Sequence, residues 1–270
     1  MGVPMVNTEL SDVVELRGVS QSYNGGQSFV IKDLDLLIQD KPDQGQFVVV
    51  LGASGCGKST LLRYIAGLQK PTSGEVLIRD KPRPEDLAIS MVFQQYSSFP
   101  WYSVLDNVML PLRYRGVSKQ ESMEKAMAMI EAVGLAGHER KYAQYPILSG
   151  GQLQRVAIAR SLIANPEIIL MDEPFGALDP RTRFSMQLML TKIWESIKST
   201  VIFVTHDERE AVFLGQDIYV MKSAPAQIVR HIRVDLPVER TKETKRMPRY
   251  VELVNEVEDA IYSVDATVAA

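Results

Sequence analysis

The sequence predicts an α/β fold in which a mainly parallel sheet is wrapped by helices and split by a helical insert. Three observations predict it. Apolar β-like runs alternate with helical periodicity towards both ends, a glycine-rich turn joins one such run to a helix, and the β-pattern lapses between about Val104 and Leu162. Val13 to Leu16, Phe47 to Leu51, Gly74 to Ile78 and Ile89 to Phe93 read as strands, and Ser59 to Ala66 reads as a helix. Within the insert, Ser118 and Glu121 form an S-x-x-E capping box; Met123, Ala126, Ile130 and Val133 then share one helical face, and Gly134 can end the helix. The methionines there read as core filler. Strands resume at Ile168 to Met171, Val201 to Thr205 and Ile218 to Met221, separated by helical stretches at Arg181 to Ile197 and around Glu208 to Phe213. A charged segment, Arg240 to Arg249, precedes a last amphipathic helix.

Composition narrows the function classes. With 270 residues, 46% of them hydrophobic, the chain suits one large α/β domain or a core with an inserted subdomain. A formal net charge of −3 and the lack of a basic run argue against nucleic acid as the main partner. No apolar run reaches the roughly 18 residues needed to span a bilayer. Met1 to Glu9 has neither the charged start nor the apolar core of a signal peptide, so the expectation is a chain that stays in the cytosol. The one cysteine, Cys56, cannot form an intrachain disulfide and reads as a small loop filler; nothing suggests a metal cluster.

Gly52, Ala53, Ser54, Gly55, Cys56, Gly57, Lys58 and Ser59 fit G-x-x-x-x-G-K-[ST], followed by Thr60, between a strand and a helix. Glycines let backbone N–H groups turn inward around phosphate oxygens, and the helix N-terminus favours negative charge. Lys58 would reach the β- and γ-phosphates, and the Ser59 hydroxyl would ligate Mg²⁺. Asp172 and Glu173 end the apolar run Ile168 to Met171, at the sheet edge where phosphate sites of open α/β sheets lie. Asp172 is placed to hold Mg²⁺ directly or through water, leaving Glu173 to act on the attacking water. A third constellation, Ser149, Gly150, Gly151 and Gln152, opens the helical run Leu153 to Leu162 and reads as a second anion site.

With LSGGQ at Leu148 to Gln152, the chain resembles the ATPase subunits of ABC transporters from about Val13 to Pro237. The resemblance implies an antiparallel β-subdomain beside the parallel sheet, and two subunits packed head to tail so that each signature loop covers the ATP bound by the other. Residues 1–94 and 166–238 would form the nucleotide-binding core, 95–165 the helical subdomain, and 239–270 a C-terminal tail. Tyr23 matches the aromatic residue that stacks on adenine. Gln94 matches the glutamine that senses Mg²⁺ and the γ-phosphate, Asp179 (with Ala177 and Leu178) the loop crossing the dimer interface, and His206 the switch histidine at the γ-phosphate.

Softer resemblances narrow the class further. Gln95 to Leu112, His206 to Leu214 and Ile232 to Pro237 are similar to segments of nitrate, sulfonate, taurine and bicarbonate importers. Because Glu173 and Ser149 to Gln152 are intact, two working sites per homodimer are expected, a heterodimer with a similar subunit being the alternative, and the resemblance implies a place on the cytoplasmic face of a bacterial inner membrane. The permease would dock near Phe99, Pro100, Trp101 and Tyr102, with a periplasmic or lipid-anchored binding protein supplying the substrate. Such subunits lack the extra regulatory β-domain of sugar-importer ATPases. The chain departs from that group at Ala224 to Gln227, where a Pro-Gly turn is usual, and in a somewhat long Asp40 to Gln44 loop. An exporter or lipid-trafficking ATPase would share every catalytic residue. A soluble ABC ATPase of DNA repair or translation would usually carry a coiled-coil insertion or a second ATPase domain.

Overall fold

The computed structural model describes residues 12–41, 44–82, 87–223 and 225–268. Strands β1 (Asp12–Gln21) and β2 (Ile31–Gln39) lead into β3 (Gln46–Leu51) and helix α1 (Lys58–Ile65), followed by β4 (Ser73–Ile78), β5 (Lys81–Pro82) and β6 (Ile89–Val92). Helices α2 (Val104–Tyr114), α3 (Lys119–Ala132) and α4 (Gly150–Leu162) form the insert. Then come β7 (Ile168–Asp172), α5 (Pro180–Ser196), β8 (Thr200–Thr205), α6 (Glu208–Leu214), β9 (Asp217–Lys222) and β10 (Gln227–Arg233). A 3-10 turn, Glu243–Arg246, leads to α7 (Pro248–Val268).

Two sheets sandwich α1. The larger has the order β10-β9-β3-β8-β7-β6, parallel except for the antiparallel edge pair β9 and β10. The smaller, β2-β1-β4-β5, is antiparallel throughout. Central strands alternate with period two: Val48 and Val50 join Leu61, Leu62 and Ile65 in the layer beneath the small sheet, whereas Phe47, Val49 and Leu51 join the core shared with α4 and α5. Burial on both faces explains why these strands read as continuous apolar runs.

The sequence reading finds the parallel strands but not β2, β5 or β10. In β2 the buried residues Ile31, Leu34, Leu36 and Ile38 break strict alternation, because Asp33 sits at φ +46° and the register with β1 shifts nearby. β10 is an edge strand with only Ile232 buried, so it carries little hydrophobic pattern. One face assignment needs correcting. Ala126, Ile130 and Val133 are buried as expected, but Met123 is exposed, as is Met127, and Ser122 occupies the inward position. Methionines at 109, 171 and 186 are core filler. Only half the capping box at Ser118 forms: its hydroxyl accepts from the Glu121 N–H, and the Glu121 carboxylate pairs with Lys125 at 2.8 Å.

The tail docks on the core. Arg240, buried, donates from Nε to the Phe213 carbonyl and from Nη2 to the Gly215 carbonyl, closing the C-terminus of α6. Tyr250, Leu253, Val254, Val257 and Ala260 form the buried stripe of α7. Met1 to Glu9, two residues of the Asp40 to Gln44 loop, and Ala224 lie outside the described residues.

Candidate functional site

β3 delivers the glycine-rich loop to the carboxyl edge of the parallel sheet, and α1 carries it away. The Gly52 N–H donates to the Thr205 carbonyl at 3.3 Å, and a Cβ on Gly52 would lie 2.4 Å from the Met221 carbonyl oxygen. Gly57, at φ +105°, is the residue before α1; no side chain caps that helix and no acidic residue sits in its first turn. Its terminal N–H groups and dipole are therefore available to an anion. Cys56 is buried with Sγ against Gly52, and burial pushes its thiol pKa up, in keeping with a loop filler. Lys58 is also buried. Its ammonium donates to the carbonyls of Gly52 (2.8 Å) and Ala53 (3.0 Å) and lies 3.2 Å from Glu173 Oε1.

Glu173 follows the last residue of β7 at φ +41°, an uncommon conformation for a side-chain-bearing residue, and its N–H donates to the Val204 carbonyl. The turn aims its carboxylate between Lys58 and His206, whose Nδ1 is 2.9 Å from Glu173 Oε2. Ser59 Oγ donates to Asp172 Oδ1 at 2.9 Å. Burial raises the Asp172 pKa, and the Ser59 hydroxyl partly offsets this. Lys58, Ser59, Asp172, Glu173 and His206 thus stand in one cluster. Its hydroxyl and carboxylate oxygens suit a small hard cation such as Mg²⁺, which takes few protein ligands alongside phosphate oxygens. Gln94 lies exposed just past β6. Tyr23 is 64% exposed, its hydroxyl accepting from Gln69 Nε2, which leaves a ring face open to stacking.

Ser149 to Gln152 form a complete capping box at α4: Ser149 Oγ accepts from the Gln152 N–H, and Gln152 Oε1 accepts from the Ser149 N–H. Tyr96 closes over Gly150 so tightly that a Cβ there would fall 2.2 Å from its hydroxyl, and Thr182 similarly crowds Gly151. Asp179 caps α5 through the Arg181 and Thr182 N–H groups, and hydrogen bonding from the Thr182 side chain first, then from these N–H groups, holds its carboxyl below the usual range. Among the described residues no hydrogen bond or ion pair joins this signature group to the Lys58 cluster.

Residues 38–176 match the family model described as ABC transporter. The chain belongs to the ABC transporter family. It is 41% identical over 254 residues to the nitrate import ATP-binding protein NrtD of Synechocystis sp., covering 90% of this chain and 93% of that protein. It is 42% identical to the taurine import ATP-binding protein TauB of Rhizobium johnstonii, covering 86% and 90%. A dimeric post-hydrolysis structure of the ATP-binding cassette MJ0796, bound to ADP and Pi, superposes with a TM-score of 0.69 at 34% identity, over 83% of this chain and all of that one. The cbiO1 structure from Clostridium perfringens, at 22% identity and a TM-score of 0.73 over 96% of this chain and all of that one, shows the same fold.

Several residues of this ABC protein escape motif reading. Arg183 bridges Asp207 (3.2 Å) and the Leu178 carbonyl, joining the loops that carry Asp179 and His206. Arg160 stacks over Phe99 at 4.7 Å and donates to the Ser97 carbonyl, while buried Asn107 bonds both the N–H and the carbonyl of Phe99. Phe99 is thereby anchored, whereas Trp101 (64%) and Tyr102 remain exposed. Asp207 and Ser97 lie 24 and 63 residues from Arg183 and Arg160, so only the shorter links, Arg183 to Leu178 and Asn107 to Phe99, give a local signal.

Proposed function

We propose that this chain is the ATP-binding and ATP-hydrolysing subunit of an importer for a small anion of the nitrate, sulfonate, taurine or bicarbonate type. The observation that carries the hydrolytic reading is Glu173 held between Lys58 and His206 beside the Ser59–Asp172 pair. The printed functions of the nitrate and taurine relatives support the import reading.

ATP would lie with its adenine on Tyr23 and its phosphates against the loop from Gly52 to Thr60. Without nucleotide, the Lys58 ammonium is shared between loop carbonyls and Glu173. A γ-phosphate offers it a stronger partner, which frees the Glu173 carboxylate to accept a proton from the attacking water. His206 orients that carboxylate and meets the γ-phosphate. Ser59, Asp172 and Gln94 would hold Mg²⁺, which would supply neutralisation of phosphate charge.

Because Ser149 has no bond to the Lys58 cluster in its own chain, a second copy is the natural source of the signature residues Ser149, Gly150, Gly151 and Gln152 over each nucleotide. Asp179 would lie at the same boundary. The dimeric state of the MJ0796 cassette supports a two-copy assembly. Closure around two ATP molecules is favoured by contacts made only in the closed state, and it would pull on a permease docked at Phe99 to Tyr102. Among the described residues no helix is long and apolar enough to cross a membrane. By analogy with the nitrate and taurine import relatives, the chain would act peripherally on the cytoplasmic face of the inner membrane, with the substrate-binding protein on the far side of the permease.

Purifying the native complex through this subunit, then assaying hydrolysis with nitrate, taurine, sulfonates or bicarbonate and the cognate binding protein, tests the reading. Recovery of a permease with anion-stimulated hydrolysis is the expected result. Recovery of a soluble or nucleic-acid-bound assembly would overturn it.

A further inference from the structure

A buried polar chain runs from the C-terminal segment to the loop that carries His206. Lys245, in the 3-10 turn before α7, lies over the rings of Phe184 (4.2 Å) and Phe213 (4.8 Å), and its ammonium donates to Gln187 Oε1 at 3.4 Å. Gln187 is 2% exposed and donates from Nε2 to Glu210 Oε1 at 3.0 Å. The other oxygen of Glu210 accepts from the Thr205 hydroxyl, and that hydroxyl accepts from the Asp207 N–H at 3.1 Å. The Glu210 N–H in turn donates to Asp207 Oδ1 at 2.8 Å. Both residues flanking His206 are therefore fixed by this chain.

Its polarity runs one way. Lys245 can only donate and the Glu210 carboxylate can only accept, so the Gln187 amide has a single satisfying orientation. Glu210 is 5% exposed, and burial raises its pKa against the opposing effect of its bonds to Thr205 and Gln187. Burying a carboxylate is costly, and apolar packing would hold α5 against α6 at least as well. What these three side chains supply that apolar residues cannot is a directional hold on the Thr205 hydroxyl, and through that hydroxyl on the backbone N–H of Asp207.

We propose that Lys245, Gln187 and Glu210 are positioning residues for His206, through which the C-terminal segment sets the placement of the imidazole against Glu173. The effect on hydrolysis rests on the reading of His206 given above; the effect on the imidazole does not. The chain has three histidines, so their ring signals can be followed individually by NMR in the full-length protein. Lys245→Met keeps a long apolar stem on the two rings but removes the donor, and Lys245→Arg restores one. The expected result is that Lys245→Met and Gln187→Leu move the His206 ring signals and leave those of His138 in place. Lys245→Arg returns them towards the parent positions. In the transport complex kcat falls about threefold to tenfold with KM for ATP unchanged. Unmoved His206 signals in Lys245→Met, with the chain folded, would overturn the proposal. Shifted signals with unchanged kcat would uphold the coupling and count against the role given to His206 in hydrolysis.

Discussion

Gly52→Ala should injure the nucleotide site by a steric route that can be worked through. The added Cβ would stand 2.4 Å from the Met221 carbonyl oxygen and 2.9 Å from Cys56 Sγ. Ordinary contact begins near 3.4 Å, so the phosphate loop would have to retreat by about 1 Å from β9. Neither side gives easily, because Met221 belongs to a buried strand paired with β10 and both β3 and β9 are held in the central sheet. Overpacking of this kind costs about 1–3 kcal/mol. In a chain of this size that lowers the melting temperature by about 3–10 °C. Loop amides displaced by about 1 Å should weaken ATP binding about tenfold to a hundredfold. Calorimetric unfolding with titration of a fluorescent ATP analogue reads both effects. Adding Cys56→Ala should not rescue, since the closer obstacle is backbone. Gly55→Ala makes a contrast: it meets open space and suffers only the left-handed φ of +81°, a cost of about 1–2 kcal/mol. A Gly52→Ala protein that melts and binds ATP like its parent would refute the reasoning.

Other perturbations follow from the same geometry. Glu173→Gln keeps the side chain's shape but removes the base and the charge beside Lys58, so ATP binding should persist while hydrolysis falls about a hundredfold or more; single-turnover phosphate release checks this, and a normal rate would remove Glu173 from its role. Arg240→Met strands the Phe213 and Gly215 carbonyls and should destabilise the chain by about 2–4 kcal/mol in denaturant titration, with little change in ATP affinity. Burial alone would raise the Asp217 pKa, but hydrogen bonds from His231 and Lys41 outweigh it and hold the carboxyl at about 2, against 3.8 for an unperturbed Asp. A depressed folded-state pKa gives stability that is complete above about pH 4 and lost as pH falls towards 2, up to about 2.5 kcal/mol. Lys41→Met should therefore remove part of that stability at neutral pH and progressively less of it as the pH falls towards about 2, which denaturant titrations compared across that pH range measure.

The residues legible in the sequence are those whose chemistry demands a fixed type at a fixed spacing. Lys58 and Ser59 must follow the glycine turn, and Asp172 and Glu173 must end a buried strand, so the ligand dictates the local pattern. The same holds for the parallel strands, which carry apolar runs because both faces are covered. β2 was hidden because the left-handed Asp33 breaks its alternation. Met123 lies on the expected helical stripe yet faces solvent, since three residues on one face do not say how wide the covered sector is. The placement of His206 depends on Gln187 and Lys245, 23 and 58 residues from their respective partners Glu210 and Gln187, distances over which a sequence carries no local signature.

The central claim is that each hydrolytic site joins Lys58 and Glu173 of one copy to the signature residues of another. Complexes assembled from equal amounts of Lys58→Ala and Ser149→Arg chains test it directly. Each variant alone should be inactive, because every site in its homodimer lacks one half. Mixing should restore roughly a quarter of the parent hydrolysis, since half the dimers are mixed and each of those has one intact site. Continued inactivity of the mixture, with mixed dimers shown to be present, would contradict the account.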